Sequence, residues 1–119
     1  MNYALLIYDD DSSWIDLPSE EKARLRGEEM PQWLALFEEL GKADPNVSGK
    51  ELSNRHTAKV VRVRDGERIV SDGPLAETKE ILGGLMLIEL PDLDEAIRLA
   101  ALVPAARGTG AVEIRPVLQ

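Results

Sequence analysis

Two short segments of this chain, Tyr3 to Tyr8 and Leu85 to Leu90, are apolar at almost every position. Each is shorter than a typical helix and rich in residues that favour strands, and a strand without polar alternation is typically buried on both faces. Two other segments, Thr57 to Arg64 and Ala111 to Val117, alternate between apolar and polar side chains, as strands with one solvated face do. The sequence therefore predicts two central strands and two flanking ones.

The segments between these strands contain two helical patterns. The first begins near Pro18 with carboxylates in its first turn, and its apolar stripe includes Trp33 and Phe37, which we expect in the core. Pro31 interrupts this stripe, and because a proline inside a helix costs about 3 kcal/mol, we expect a kink or two consecutive helices. The second pattern begins after Asp92, which is a suitable helix cap.

An Asp65-Gly66 dipeptide predicts a hairpin turn after the second strand. The order of elements is then strand, helix, strand with hairpin, strand, helix, strand, which is the split βαβ pattern of a ferredoxin-like α+β fold. Two helices can cover only one face of the sheet, yet the central strands are apolar on both faces. A second subunit would cover the other face, so we expect a homodimer.

The composition narrows the class of protein. A chain of 119 residues is long enough for one domain over residues 1–119. Its 22 acidic and 14 basic side chains give a net charge of −8, which disfavours binding to nucleic-acid phosphates and anionic membranes. The absence of cysteine and the single histidine exclude disulfides and argue against zinc or non-haem iron. We therefore expect no metal and no other cofactor.

The beginning of the chain lacks the basic region and long apolar segment of a signal peptide. No apolar run reaches the roughly 20 residues of a membrane helix. Together with the absence of cysteine, this pattern is the one expected of a cytoplasmic protein.

Ser71 to Glu80, which we call the signature loop, precedes the second apolar strand. Within it, Asp72 can close a side-chain turn, Gly73 supplies unusual backbone angles and Pro74 fixes φ. Such a turn would hold Asp72 against the sheet, where burial would raise its pKa and make it a candidate general acid or base. The alternative is an Asx turn, in which the carboxylate only caps backbone N–H groups.

The loop belongs to an ordered series of segments that resembles the signature of the YCII-related family, also called DGPF-domain proteins. The segments are Ile7-Tyr8, the turn Gly49 to Leu52, the hairpin Val61 to Gly66, Ser71 to Gly84, Leu93 to Ala96 and Val112 to Val117. The resemblance implies a ferredoxin-like domain of the dimeric α/β barrel type, in which the sheets of two subunits pair. It also implies a family largely without assigned reactions, some of whose members occur beside or fused to alternative sigma factors.

Two departures from the family pattern bear on the site. Leu75 stands where the family usually has phenylalanine, so the loop loses an aromatic wall but stays apolar. Asn54-Arg55-His56 replaces a stretch that commonly contains proline and lacks histidine. A mechanism that uses His56 is therefore not implied by the resemblance.

The candidate site consists of the signature loop, the end of the first strand and the sheet. His56 normally titrates near neutrality and could pair with Asp72 as base and orienter, or else be an exposed histidine at a strand entry. Lys79 would either pair with a substrate anion or be a surface charge. The acidic run Asp9 to Asp11 lacks EF-hand spacing, which favours a solvated turn over a Mg²⁺ or Ca²⁺ site. The ligand-binding candidates are Tyr8, Ser71, Gly73, Pro74, Leu75 and Lys79.

These patterns favour a protein that binds an unknown small molecule near the signature loop. If it is an enzyme, a question that the residues leave open, they suit acid–base chemistry without a cofactor, with Asp72 as the acid or base. The alternative is a non-enzymatic regulatory or protein-interaction module, linked to sigma-factor-dependent transcription.

Overall fold

A computed structural model describes residues 1–76 and 79–118 and shows an α+β fold with antiparallel sheets. The strands are β1 (Asn2–Asp9), β2 (Ser48–Glu51), β3 (Lys59–Arg64), β4 (Glu67–Asp72), β5 (Ile81–Glu89) and β6 (Ala111–Pro116). The helices are α1 (Ser12–Ile15), α2 (Ser19–Ala43), α3 (Leu93–Ala100) and α4 (Pro104–Arg107), and a short 3-10 turn covers Arg55–Thr57.

Four strands form the main sheet in the order β2-β5-β1-β6, with every neighbouring pair antiparallel. The two fully apolar segments are the central strands β1 and β5, as predicted, and the flanking position of β6 is also confirmed. The other flanking strand was predicted wrongly, because β2 takes that edge instead of Thr57 to Arg64. Edge strand β2 pairs through its backbone and has only exposed side chains, so it leaves no hydrophobic pattern in the sequence.

The strands β3 and β4 form a separate two-stranded sheet. Asp65 and Gly66 both have positive φ, at 53° and 75°, as the tightest hairpin turns require. The hairpin predicted at this dipeptide is therefore confirmed. Apart from half-buried Val60, every residue of the two strands is exposed.

Helix α2 is one continuous element of 25 residues with Pro31 inside it, which excludes two consecutive helices, one of the two alternatives expected at this proline. The helix buries Leu36 and Leu40 against the sheet and half-buries Trp33, and this packing offsets the missing proline hydrogen bond. Phe37 is 51% exposed, which contradicts its expected place in the core. The buried stripe thus includes Trp33 as predicted, but Leu36 takes the place expected for Phe37.

The core lies between the helices and one face of the main sheet. Its fully buried side chains include Leu5 and Ile88 from the central strands and Leu99 from α3. The opposite face of the sheet, which we call the open face, carries the side chains that alternate with the buried ones along β1, β5 and β6. Those residues are Ala4, Leu6, Tyr8, Leu82, Leu85, Leu87, Glu113 and Arg115. Leu87 is 44% exposed there, so this apolar face is uncovered in the single chain.

Candidate functional site

Three segments meet where β1 ends, and we call this place the junction. They are Tyr8 to Asp11, the turn Asn54 to His56, and Lys79 to Ile81. A register shift in the β1–β5 pairing lies at this place, where Ile7 is opposite Gly84 and Tyr8 is opposite Leu82. The one extra residue on β5 is typical of a β-bulge, a device that re-aims nearby side chains.

Arg55 ties the junction together. Its Nε donates to Asp11 Oδ1 at 2.5 Å and its backbone N–H donates to Asp11 Oδ2 at 3.1 Å. Its Nη2 donates to Asp10 Oδ1 and to the carbonyl oxygen of Lys79, both at 3.3 Å. The Arg55 side chain is only 17% exposed, which makes this the least exposed ion-pair network among the described residues. One guanidinium therefore fixes three segments of the chain relative to one another.

The acidic run at the end of β1 is occupied by donors from the protein itself. Asp9 Oδ1 accepts hydrogen bonds from the backbone of Asp10 and from Thr109 Oγ1, both at 2.8 Å. Hydrogen bonds from Ser12, and then the charge of Arg55, hold the pKa of Asp10 below its usual value. In the part of the chain that the structure describes, no three acidic or histidine side chains are grouped closely enough to hold a metal ion. The run thus works as a structural turn.

A shallow groove lies beside the junction on the open face. It has a volume of about 510 Å³ and is lined by Tyr8, Glu80, Ala111, Val112 and Glu113. The Tyr8 hydroxyl donates to Glu113 Oε1 at 3.3 Å. Burial, and then the nearby Glu113 carboxylate, raise the pKa of Tyr8. The phenol is therefore a protonated hydrogen-bond donor at neutral pH, next to a carboxylate that can accept.

Asp72 lies outside this groove, at the end of the hairpin. It stands opposite Lys59 in the β3–β4 register, and its carboxylate accepts a hydrogen bond from the Lys59 ammonium. That hydrogen bond and the Lys59 charge lower the pKa of Asp72, whose side chain is 85% exposed. The expectation that burial would raise this pKa was wrong, since the strand end projects into solvent. Among the described residues the Asp72 carboxylate accepts from a side chain and from no backbone N–H, so the alternative of an Asx turn is not observed there.

His56 is exposed on the 3-10 turn, and its backbone N–H donates to Asn54 Oδ1 at 2.9 Å. Among the described residues no hydrogen bond joins His56 to Asp72, although the segments run close together where Gly73 N donates to the Ala58 carbonyl at 2.9 Å. The Asp72 carboxylate instead accepts a hydrogen bond from Lys59. The pairing stays a prediction.

The remaining candidate residues lie either at the groove and the junction or at the end of β4. Tyr8 lines the groove and Lys79 lies at the junction through its carbonyl oxygen. Ser71, Gly73, Pro74 and Leu75 lie at or just beyond the end of β4, with Leu75 71% exposed. Glu77 and Thr78, which the sequence assigns to the same loop, lie outside the described residues.

Two residues of the site were missed at the level of sequence. Arg55 was noted only as part of a stretch that departs from the family pattern, although the acidic run Asp9 to Asp11 was a signal for an internal partner. Glu113 was assigned to the solvated face of β6, and only the strand order shows that this face continues across β1 to Tyr8. Both contacts join segments that are far apart in sequence.

No helix in residues 1–76 and 79–118 is both long enough and apolar enough to cross a membrane.

Comparison with known proteins finds similarity along the whole chain. A family model, the YCII-related domain, matches residues 1–119. The chain is also similar to an uncharacterized protein of Rhizobium meliloti (strain 1021), with 38% identity over 118 residues that cover 98% of this chain and 92% of the relative. Because that relative is uncharacterized, the comparison identifies a family and not a reaction.

Proposed function

Because this chain belongs to the family of YCII-related domain proteins, and the similar protein is uncharacterized, we propose a function from the surface of this chain. The protein is a homodimer that binds a small molecule at the Tyr8 end of the open face. The observation that carries this proposal is the Tyr8–Glu113 hydrogen bond, a polar pair beside the apolar side chains of Leu6 and Leu82. Apolar walls with a few convergent polar groups are typical of ligand sites.

The chemistry of the groove indicates the class of ligand. Glu113, one of its lining residues, presents a carboxylate beside the Tyr8 hydroxyl, and the whole chain has a net charge of −8. Such a surface attracts cations and repels anions. We therefore expect a ligand with an apolar body and a cationic or N–H-bearing group. Acid–base chemistry without a cofactor would use Tyr8 as the proton donor and Glu113 as the acceptor.

The homodimer part of the proposal rests on the area of exposed surface. The single chain exposes 8310 Å², whereas a folded monomer of 13.1 kDa exposes roughly 6,400 Å². Its radius of gyration is 16.3 Å against roughly 13.5 Å for a compact chain of this length. The surplus exceeds the roughly 800 Å² that each partner buries in a standard interface. Pairing of two open faces would cover the exposed Leu87 side chain.

The strand order supports the finer fold assignment as a proposal. In the order β2-β5-β1-β6, the first and third main strands are central and antiparallel, with the helices packed on one face. This is the arrangement of a ferredoxin-like sheet. Two such sheets that met through their open faces would form a dimeric α/β barrel.

Three probes that share an aromatic ring and differ in charge test the ligand class: benzylamine, benzyl alcohol and benzoate. We expect benzylamine to shift the backbone amide signals of Tyr8 and Glu113 in ¹⁵N NMR spectra and to bind most tightly. Tyr8→Phe and Glu113→Gln should each weaken it by roughly tenfold or more, because a hydrogen bond to a charged group contributes about 1.5–3 kcal/mol. Glu38→Gln, which removes an exposed carboxylate of α2 that does not line the groove, is the matched control. Equal binding of benzoate, or shifts elsewhere, would overturn the proposal.

The Asp72–His56 pair is tested separately by the NMR signals of the His56 ring. If the two side chains meet in solution, Asp72→Asn should shift these signals, because it removes a neighbouring negative charge. Unchanged ring signals would eliminate the pair. A monomeric chain whose open face binds no small molecule would instead favour the alternative of a protein-interaction module.

A further inference from the structure

The β3–β4 hairpin is an arm without a packing partner in its own chain. The two strands contact each other, and neither has extensive contact with any other described strand or helix. At the base of the arm, Gly73 lies against Ala58 and Val60, so that side is partly covered. A two-stranded hairpin alone is only marginally stable in water, so this arm requires a surface to pack on.

One side of the arm is apolar and exposed. Val61 lies directly opposite Val70, and alternation places Val63 on the same side of the hairpin. These three residues, which we call the valine face, are 60%, 57% and 60% exposed in the order given. Cross-strand valine pairs stabilise a sheet mainly when something covers them. The valine face is therefore an exposed apolar surface that has no packing partner among the described residues.

The distribution of charge in the chain indicates which surface packs against the valine face. The hairpin Lys59 to Asp72 carries four basic and three acidic side chains, whereas the whole chain carries 14 basic and 22 acidic ones. The arm thus has a slight positive net charge, whereas the rest of the chain, which we call the body, has a strong negative net charge. Arg68 projects on the valine face and forms no ion pair among the described residues. A second copy of this chain offers both the anionic body and an uncovered apolar face.

We propose that the hairpin is a dimerisation arm whose valine face packs on the partner copy of this chain. This inference rests on the homodimer of the proposed function and adds the element that extends its interface. The surplus of exposed surface described above leaves room for such an extension beyond the pairing of two open faces. Each arm reaches the other copy, so the contact occurs twice in a symmetric dimer.

The test is the dimer dissociation constant of a double variant, Val61→Thr with Val70→Thr, measured by sedimentation with fluorescence detection. Threonine keeps the branched shape that strands favour, so the hairpin should stay folded. We expect the constant to rise by at least roughly tenfold, because apolar surface is lost from the interface. Ile69→Thr is the matched control, since Ile69 is 45% exposed on the other side of the hairpin.

Isotope-filtered NMR on mixed labelled and unlabelled copies gives a second measurement. Nuclear Overhauser effects from the methyl groups of Val61, Val63 and Val70 to the other copy are expected. If the double variant dimerises like the unmodified chain and these effects are absent, the proposed role of the arm is overturned while the homodimer stands. If the unmodified chain is a monomer at micromolar concentration, both arm and homodimer are overturned. Benzylamine binding at Tyr8 is measured independently in either case.

Discussion

Replacing Arg55 by methionine removes the charge that joins the three segments of the junction. Removing one partner of a fully buried ion pair costs about 3–5 kcal/mol, because the other charge stays buried without compensation. The Arg55 and Asp11 side chains are 17% and 20% exposed, so water screens part of this loss. We therefore expect Arg55→Met to lower the free energy of unfolding by about 2–3 kcal/mol.

Urea unfolding followed by tryptophan fluorescence measures this loss. The midpoint should fall by about 1–2 M urea for a chain of this size. Arg55→Lys keeps the charge but not the planar fork, so its loss should be intermediate. Lys59→Met is the matched control, because the Lys59–Asp72 pair is 61% and 85% exposed and should contribute little. Equal midpoints for Arg55→Met and Lys59→Met would refute the reasoning. Protein concentration is held constant, since dimerisation also stabilises the fold.

The same network predicts the direction of acid sensitivity. Hydrogen bonds from Ser12, followed by the charge of Arg55, lower the pKa of Asp10 in the folded state. A lowered folded pKa means that this stabilisation is complete above the unfolded value of about 3.9 and is lost as the pH falls through the folded value. The loss of stability below this pH should therefore be shallower in Arg55→Met than in the unmodified chain. An identical slope in both proteins would contradict this coupling.

The remaining predictions concern the two faces of the sheet and the backbone beside the groove. Ile88→Asp should prevent folding because this side chain is fully buried, whereas Leu87→Asp should fold and weaken only the dimer, as circular dichroism and sedimentation will show. Two variants with equally impaired folding would contradict the assignment of faces. Gly110→Ala should be severely destabilising, because the added Cβ would lie 2.2 Å from the Tyr8 carbonyl oxygen, while Gly83→Ala has no atom closer than 3.9 Å and should unfold at a near-normal urea midpoint. Similar midpoints for the two alanine variants would count against the close approach at Tyr8.

Local patterns in the sequence were sufficient to predict the elements that have a continuous apolar run or a characteristic turn dipeptide. The apolar runs identified β1 and β5 as central strands, and Asp65-Gly66 identified the hairpin, because both signals are complete within a few residues. Edge strand β2 escaped detection because its register comes from backbone pairing with β5 and not from its polar side chains. In α2 the sequence placed Phe37 in the core where Leu36 lies instead, because several apolar positions compete for one buried face.

The candidate site depended more on tertiary structure than the fold did. By itself the sequence determined the family resemblance, the acidic charge, the central strands and the presence of Tyr8 at a strand end. Only the tertiary structure decided that Arg55 meets Asp10 and Asp11 and that Tyr8 meets Glu113, since these contacts join residues separated by 45, 44 and 105 positions. It also decided that Asp72 pairs with Lys59 in solvent. The physical reason is that a side chain's charge environment depends on neighbours brought together by strand order and register, which no local pattern contains.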